Sequence, residues 1–103
     1  MSPFLFILCR KDLDPVYAAV QGGHAVAEIL LNGNTQEWNN DYLIYLAVRD
    51  EQELEKWQYK LSSRDVSHSS FYEPDLDGQL TAIAVENNNK LFKSLRTDRK
   101  SVV

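Results

Sequence analysis

Apolar residues along this chain fall into two kinds of pattern. Phe4-Leu-Phe-Ile-Leu-Cys9 and Tyr42-Leu-Ile-Tyr-Leu-Ala-Val48 are short continuous runs, rich in β-favouring side chains. Such runs predict strands buried on both faces. Leu80-Thr-Ala-Ile-Ala-Val85 predicts a further strand. Between the first two runs, Asp14-Pro15 marks a helix start, with Asp14 as N-cap and Pro15 at the first helical position. Asn32-Gly33-Asn34 marks its end, and Gly33 suits the left-handed position just beyond it. Within this helix, Pro15 to about Leu31, a stripe at helical spacing is formed by Val16, Ala19, Val20, Gly23, Ala27, Leu30 and Leu31. That stripe is the expected inward side.

Asp50 caps a second predicted helix, about Glu51 to Leu61, with Glu53 as capping-box partner and Leu54, Trp57 and Leu61 as the buried face. Val66–Tyr72 reads as a short polar strand at a sheet edge. Glu73-Pro74-Asp75-Leu76-Asp77-Gly78 is a turn by composition, so the strands on either side of it should form a hairpin. Asn87-Asn88-Asn89 predicts the start of a last helix carrying Leu91, Phe92 and Leu95 inward, and residues 96–103 a loose tail. The expected order is β-α-β-α-β-β-α. This is a small three-layer α/β domain with a mixed four-stranded sheet, one domain over residues 1–103. Gly22-Gly23 stands inside the first helix, where each glycine costs up to about 1 kcal/mol relative to alanine. Three explanations stand open: close packing on the sheet, close approach of a ligand or second chain, or a break in the helix.

Composition narrows the classes. With 44% hydrophobic and 25% charged residues, the chain has the makings of a packed core, not of a disordered segment. No apolar run nears the roughly 18 residues of a membrane helix, so no membrane partner is expected. The apolar opening residues lack the basic region and cleavage site of a signal peptide. Cys9 is the single cysteine, which excludes an internal disulfide and fits a reducing, cytoplasmic setting. The net charge of −4 divides unevenly, because residues 87–103 hold Lys90, Lys93, Arg96, Arg99 and Lys100 against Asp98 alone. Any contact with a polyanion is therefore expected to be local to that segment.

Candidate chemistry is sparse. No glycine-rich phosphate loop is present. Cys9, His24 and His68 show no metal-ligand spacing, so no metal and no cofactor are expected. Cys9 reads as a small core residue, with a Cys–His nucleophile pair as the alternative. Gln21 and His24 lie at i and i+3 and share one side of their helix. His24 has the titration range of a general base, although a lone helix histidine commonly bonds a nearby carbonyl. Asp75 and Asp77 read as turn formers and Thr81 as packing.

Taken together, three segments resemble the class II peptidyl-tRNA hydrolase family. Val16-Tyr-Ala-Ala-Val-Gln21-Gly-Gly-His24-Ala25 is similar to its helix signature. Arg10-Lys11-Asp12-Leu13 is similar to the Arg-x-Asp-Leu close of its first strand. Glu73-Pro74-Asp75 with Gln79-Leu80-Thr81-Ala82-Ile83-Ala84 resembles the Asp-turn-Thr segment before its final strand. The resemblance implies cleavage of the ester between a peptide and the 3′ end of tRNA, without a cofactor, at Gln21, His24, Asp75 and Thr81. His24 would take a proton from water and Asp75 would orient the imidazole. Gln21 and Thr81 would donate to the carbonyl oxygen or terminal ribose. The family's lysine falls on Tyr17, which carries no permanent charge and is suited instead to stacking on a base. Lys11, Lys90 and Lys93 remain the candidate contacts to peptidyl-tRNA. The alternative is an inactive relative serving as a binding or dimerisation module, and a homodimer is compatible with either.

Overall fold

In the computed structural model, which describes residues 3–33, 38, 42–87, 91–93 and 100–102, both apolar runs are strands. β1 (Phe4–Arg10) pairs in parallel with β2 (Leu43–Val48) and antiparallel with β4 (Gln79–Asn87). β3 (His68–Glu73) lies antiparallel to β4, as the hairpin reading requires, and occupies an edge. These are the expected four strands of a mixed sheet. A fifth, β5 (Lys100–Val102), pairs antiparallel with the outer side of β2, giving the order β3-β4-β1-β2-β5. Residues 100–102 therefore belong to the sheet and not to a loose tail. Of the expected last helix, Leu91–Lys93 are described, and they turn without forming an α-helix. Its proposed start at Asn88-Asn89 lies outside the described residues.

Helix α1 (Pro15–Leu31) has the bounds its caps predict. The Asp14 carboxylate accepts hydrogen bonds from the Val16 and Tyr17 amides at 3.2 and 3.3 Å, which satisfies two otherwise orphan donors. Gly33 takes its left-handed conformation at φ 67°. Helix α2 (Glu51–Ser63) begins at Asp50, whose carboxylate accepts from the Glu53 amide at 3.0 Å. The Glu53 carboxylate in turn accepts from the Arg49 amide at 2.6 Å, one residue earlier than a standard capping box places it.

The helices cover opposite faces of the sheet. Phe6, Leu8, Leu46, Ile83 and Val85 meet Leu54, Trp57 and Leu61 of α2 together with Phe92. Leu5, Ile7, Cys9, Ala82 and Ala84 meet Ala18, Ala25 and Ile29 of α1. The predicted inward stripe of α1 is wrong. Its buried face is Ala18, Gln21, Gly22, Ala25 and Ile29, whereas Val16 and Leu31 are 73% and 85% exposed. The reason is steric. A Cβ on Gly22 would lie 2.8 Å from Tyr45, 2.9 Å from the Cys9 sulfur and 3.0 Å from Ile7. Bulk on this face comes from the sheet, so the helix contributes small residues. Close packing on the sheet is thus the explanation for Gly22. Gly23 meets nothing within 4 Å and needs another.

Arg10 closes β1. Its buried guanidinium donates to both Asp12 carboxylate oxygens at 2.9 and 2.7 Å, to Gln79 at 2.9 Å and to the Leu80 carbonyl at 3.1 Å. The loop before α1 is thereby tied to the start of β4. Bonded to Arg10, the Asp12 carboxyl titrates below its ordinary range. The sign follows from linkage. A lowered carboxylate stabilises the fold above the unfolded value, about 3.9, and loses that contribution as the pH falls through the folded value. Asp12→Asn should cost no more than about 1 kcal/mol at neutral pH, because the side chain is 40% exposed. Urea denaturation from pH 7 to pH 2.5 should show a shallower acid decline for Asp12→Asn than for wild type.

Candidate functional site

Three elements bring a polar cluster together beside the first half of α1. The hairpin carries it across the sheet. Between Phe71↔Ala82 and Tyr72↔Leu80 the register shifts, and β4 holds Thr81 as an extra residue. This bulge turns the Thr81 hydroxyl toward α1, the kind of re-aiming for which bulges are common beside functional sites. Thr81 Oγ donates to the Gln21 side-chain oxygen at 2.9 Å and lies 3.2 Å from the Phe71 carbonyl. Gln21 Nε2 in turn donates to the Glu73 carboxylate at 3.0 Å. Gln21 and Thr81 are 1% and 0% exposed, so the bond between them is internal, while the one to Glu73 reaches the half-buried edge of the cluster.

Glu73 is the pivot. Besides Gln21, it accepts from the Asp75 amide at 3.2 Å, and Pro74–Leu76 continue as one turn of 3-10 helix. Donation from Gln21, then from the Asp75 amide, holds its carboxyl below the usual range, with the nearby His24 and the Tyr17 hydroxyl adding to the effect. Desolvation, followed by the charges of Glu73 and Asp75, pushes the Tyr17 phenol above its ordinary value. The His24 ring is exposed and stacks on Phe71, with centroids 4.4 Å apart and planes 12° from parallel. No hydrogen bond joins His24 to Asp75 among the described residues. Asp77 at φ 56° and Gly78 at φ 75° complete the turn into β4.

Tyr17, Gln21, His24, Asp75 and Thr81 therefore gather in one neighbourhood, with Glu73, a residue the sequence reading passed over, at its centre. Glu73, and not Asp75, is the carboxylate that His24 helps to hold low. The signal available was thin: Glu73 stands two residues before Asp75 in a segment that reads as a turn. Lys11 lies elsewhere. It lines a mostly apolar hollow of about 470 Å³ with Cys9, Leu13, Ala18 and Tyr45, between β2 and the start of α1. Lys93 is exposed, and Lys90 lies outside the described residues. Burial pushes the Cys9 thiol up to about 12, so it stays protonated at neutral pH and is no nucleophile. Among the described residues, no group of three His, Cys, Asp or Glu side chains is placed to hold a metal. None of their helices is long and apolar enough to cross a membrane.

No family model matches the chain, and no curated protein matches it. Solved structures do. A protein of unknown function from Agrobacterium tumefaciens superimposes with a TM-score of 0.70 at 12% identity, over 100% of this chain and 99% of that one. At that identity the likeness speaks for the architecture, which the two share from end to end: a small α/β domain with a mixed sheet.

Proposed function

We propose that this chain is a binding module built on a peptidyl-tRNA-hydrolase-like fold, with an anionic recognition point at Glu73 in place of a hydrolytic centre. The observation that carries the reading is the commitment of Gln21 and Thr81. The Thr81 hydroxyl hydrogen goes to Gln21, and one hydrogen of the Gln21 amide goes to the half-exposed Glu73 carboxylate. An oxyanion needs donors aimed at solvent-accessible space, where its charge develops. Here the donors stabilise an ionised carboxylate instead. Where the related family carries a lysine, Tyr17 faces Glu73 and Asp75. A phosphate at this place meets two negative charges and no fixed positive one. A guanidinium or ammonium group meets complementary charge, with Tyr17 and the His24–Phe71 stack as an aromatic surround.

One observation favours the enzyme reading: His24 is close enough to Glu73 to help hold that carboxyl low. A carboxylate beside an imidazole is the base-and-orienter arrangement of ester hydrolysis. In that reading the basic C-terminal segment supplies the contacts to tRNA.

Two measurements separate them. Hydrolysis of N-blocked aminoacyl-tRNA should run at the same background rate with wild type and with His24→Ala. Turnover by wild type that falls about 10²-fold or more in His24→Ala restores the enzyme. In an NMR titration, methylguanidinium should shift the Tyr17, Glu73 and Asp75 amides saturably, and inorganic phosphate should not. Glu73→Gln should abolish the response. With its carboxyl held low, Glu73 should keep binding as the pH falls through the ordinary glutamate value of about 4.3, and release only below it. Amides that ignore methylguanidinium, or that respond equally in Glu73→Gln, refute the binding reading.

A further inference from the structure

The parallel pair at the centre of the sheet opens a crevice at one end of it. β1 and β2 are neighbours, and the chain leaves β1 for α1 on one face and β2 for α2 on the other. Where the connections of adjacent parallel strands part to opposite faces, the strand ends leave a crevice between them, and open α/β sheets bind ligands there. The apolar hollow of about 470 Å³ lies at that place. Arg10, Lys11 and Leu13 line it from the end of β1 and the loop beyond, Ala47 from the end of β2, and Ala18 and Ala19 from the start of α1. Its volume is that of a small-molecule site.

The seating of α1 keeps the hollow open. The helix rests on β4, β3 and β1, the flank that holds Gln21 and Glu73, and makes little contact with β2. The α1 face of β2 is therefore incompletely covered. Leu43, Tyr45 and Ala47 are half-buried, whereas Ile44, Leu46 and Val48, which face α2, are buried. On this flank the helix presents the methyl groups of Ala18 and Ala19. A larger side chain at either position would fill the space.

We infer that this hollow binds a small aromatic carboxylate, with its rings against Tyr45 and the two alanines of α1 and its carboxylate at Lys11. The lining decides the chemistry. Most of it is apolar, so the body of the ligand is apolar. Its charged side chains among the described residues are Arg10 and Lys11, both cations, and no carboxylate joins them. Arg10 is committed to Asp12 through two hydrogen bonds, so the exposed Lys11 is the cation that meets the ligand. The Tyr45 hydroxyl makes no hydrogen bond to another described residue. Burial, then the neighbouring Cys9, raises this phenol above its ordinary value, so at neutral pH it is a protonated donor. A carboxylate is an acceptor and suits both groups. The body is a ring system and not an alkyl chain because Tyr45 offers a ring for stacked or edge contact.

Naphthoate is the probe, naphthamide its uncharged counterpart and octanoate the alkyl carboxylate. In an NMR titration, naphthoate should shift the Lys11, Ala18, Ala19 and Ala47 amides saturably, with a Kd below about 1 mM. Naphthamide should bind at least about tenfold more weakly, having lost its charge-assisted bond, and octanoate should also be weaker. Ala19→Phe and Ala47→Phe fill the hollow from two sides, and each should abolish the response with unchanged far-ultraviolet circular dichroism. Lys11→Met should bring naphthoate down to the affinity of naphthamide and leave naphthamide where it was. Being a surface substitution, it decides the matter even where a filled variant does not fold. The inference is overturned by a wild type that ignores naphthoate up to about 1 mM, or by a response that survives both filled variants. It is equally overturned if naphthamide or octanoate binds as tightly as naphthoate, or if Lys11→Met changes nothing. None of these outcomes depends on whether Glu73 binds a cation.

Discussion

Phe92→Ala is expected to cost about 3–5 kcal/mol, the range for removing a buried aromatic ring from a core that cannot close over the gap. Phe92 is 1% exposed and lies outside any long element. Its ring centroid is 4.8 Å from that of Phe6 on β1 and 5.1 Å from that of Trp57 on α2, both in tilted contact. It thus fills the space between sheet and helix on one side of the molecule. A domain of this length has about 5–15 kcal/mol to lose in total, so this one ring decides whether the fold is robust or marginal. Urea denaturation followed by tryptophan fluorescence should show the midpoint fall with the slope unchanged. Phe92→Leu, which keeps most of the volume, should cost under about 1.5 kcal/mol. A loss below about 1 kcal/mol for Phe92→Ala would mean the ring is not part of the core in solution.

Phe92 also illustrates what could be read from the sequence and what could not. Its inward orientation follows from its apolar character, but the helix expected to carry it does not form over Leu91–Lys93. The ends of α1 were legible because they are written locally, in Asp14-Pro15 and in Asn32-Gly33. The rotation of α1 about its axis was not legible. Hydropathy assumes that the buried side is the more apolar one, and here the sheet supplies the bulk while the helix supplies Ala18, Gln21, Gly22 and Ala25. The large apolar side chains were therefore assigned inward when they face out. β5 gave no local signal either, since three residues become a strand only through the edge of β2. At the candidate site, Gln21, His24 and Thr81 could be chosen by resemblance. Glu73 could not, because its place depends on a register shift at Thr81 that only the paired hairpin reveals.

The two adjacent glycines of α1 should respond to the same substitution with opposite signs. Gly22→Ala places a methyl group 2.8–3.0 Å from Tyr45, Cys9 and Ile7. Two of these stand on β1, and Ile7 is fully buried, so little can give. The overpacking should cost about 1–3 kcal/mol. Gly23→Ala adds its methyl group where nothing lies within 4 Å. It should stabilise the monomer by up to about 1 kcal/mol, through the lost freedom of the unfolded chain. The consequence for the site is mechanical. Gly22 sets how closely α1 rests on the sheet, and its neighbour Gln21 must stay within 2.9 Å of Thr81 and 3.0 Å of Glu73. Lifting the helix by a few tenths of an ångström strains both bonds at once. The Glu73 carboxyl, whose low titration rests first on Gln21, should then move back toward its ordinary value in Gly22→Ala and stay put in Gly23→Ala. Side-chain carboxyl chemical shifts followed from pH 7 to pH 2 measure this directly. If Glu73 titrates identically in the two variants, the packing of Gly22 and the polarity of the site are separate properties of the fold.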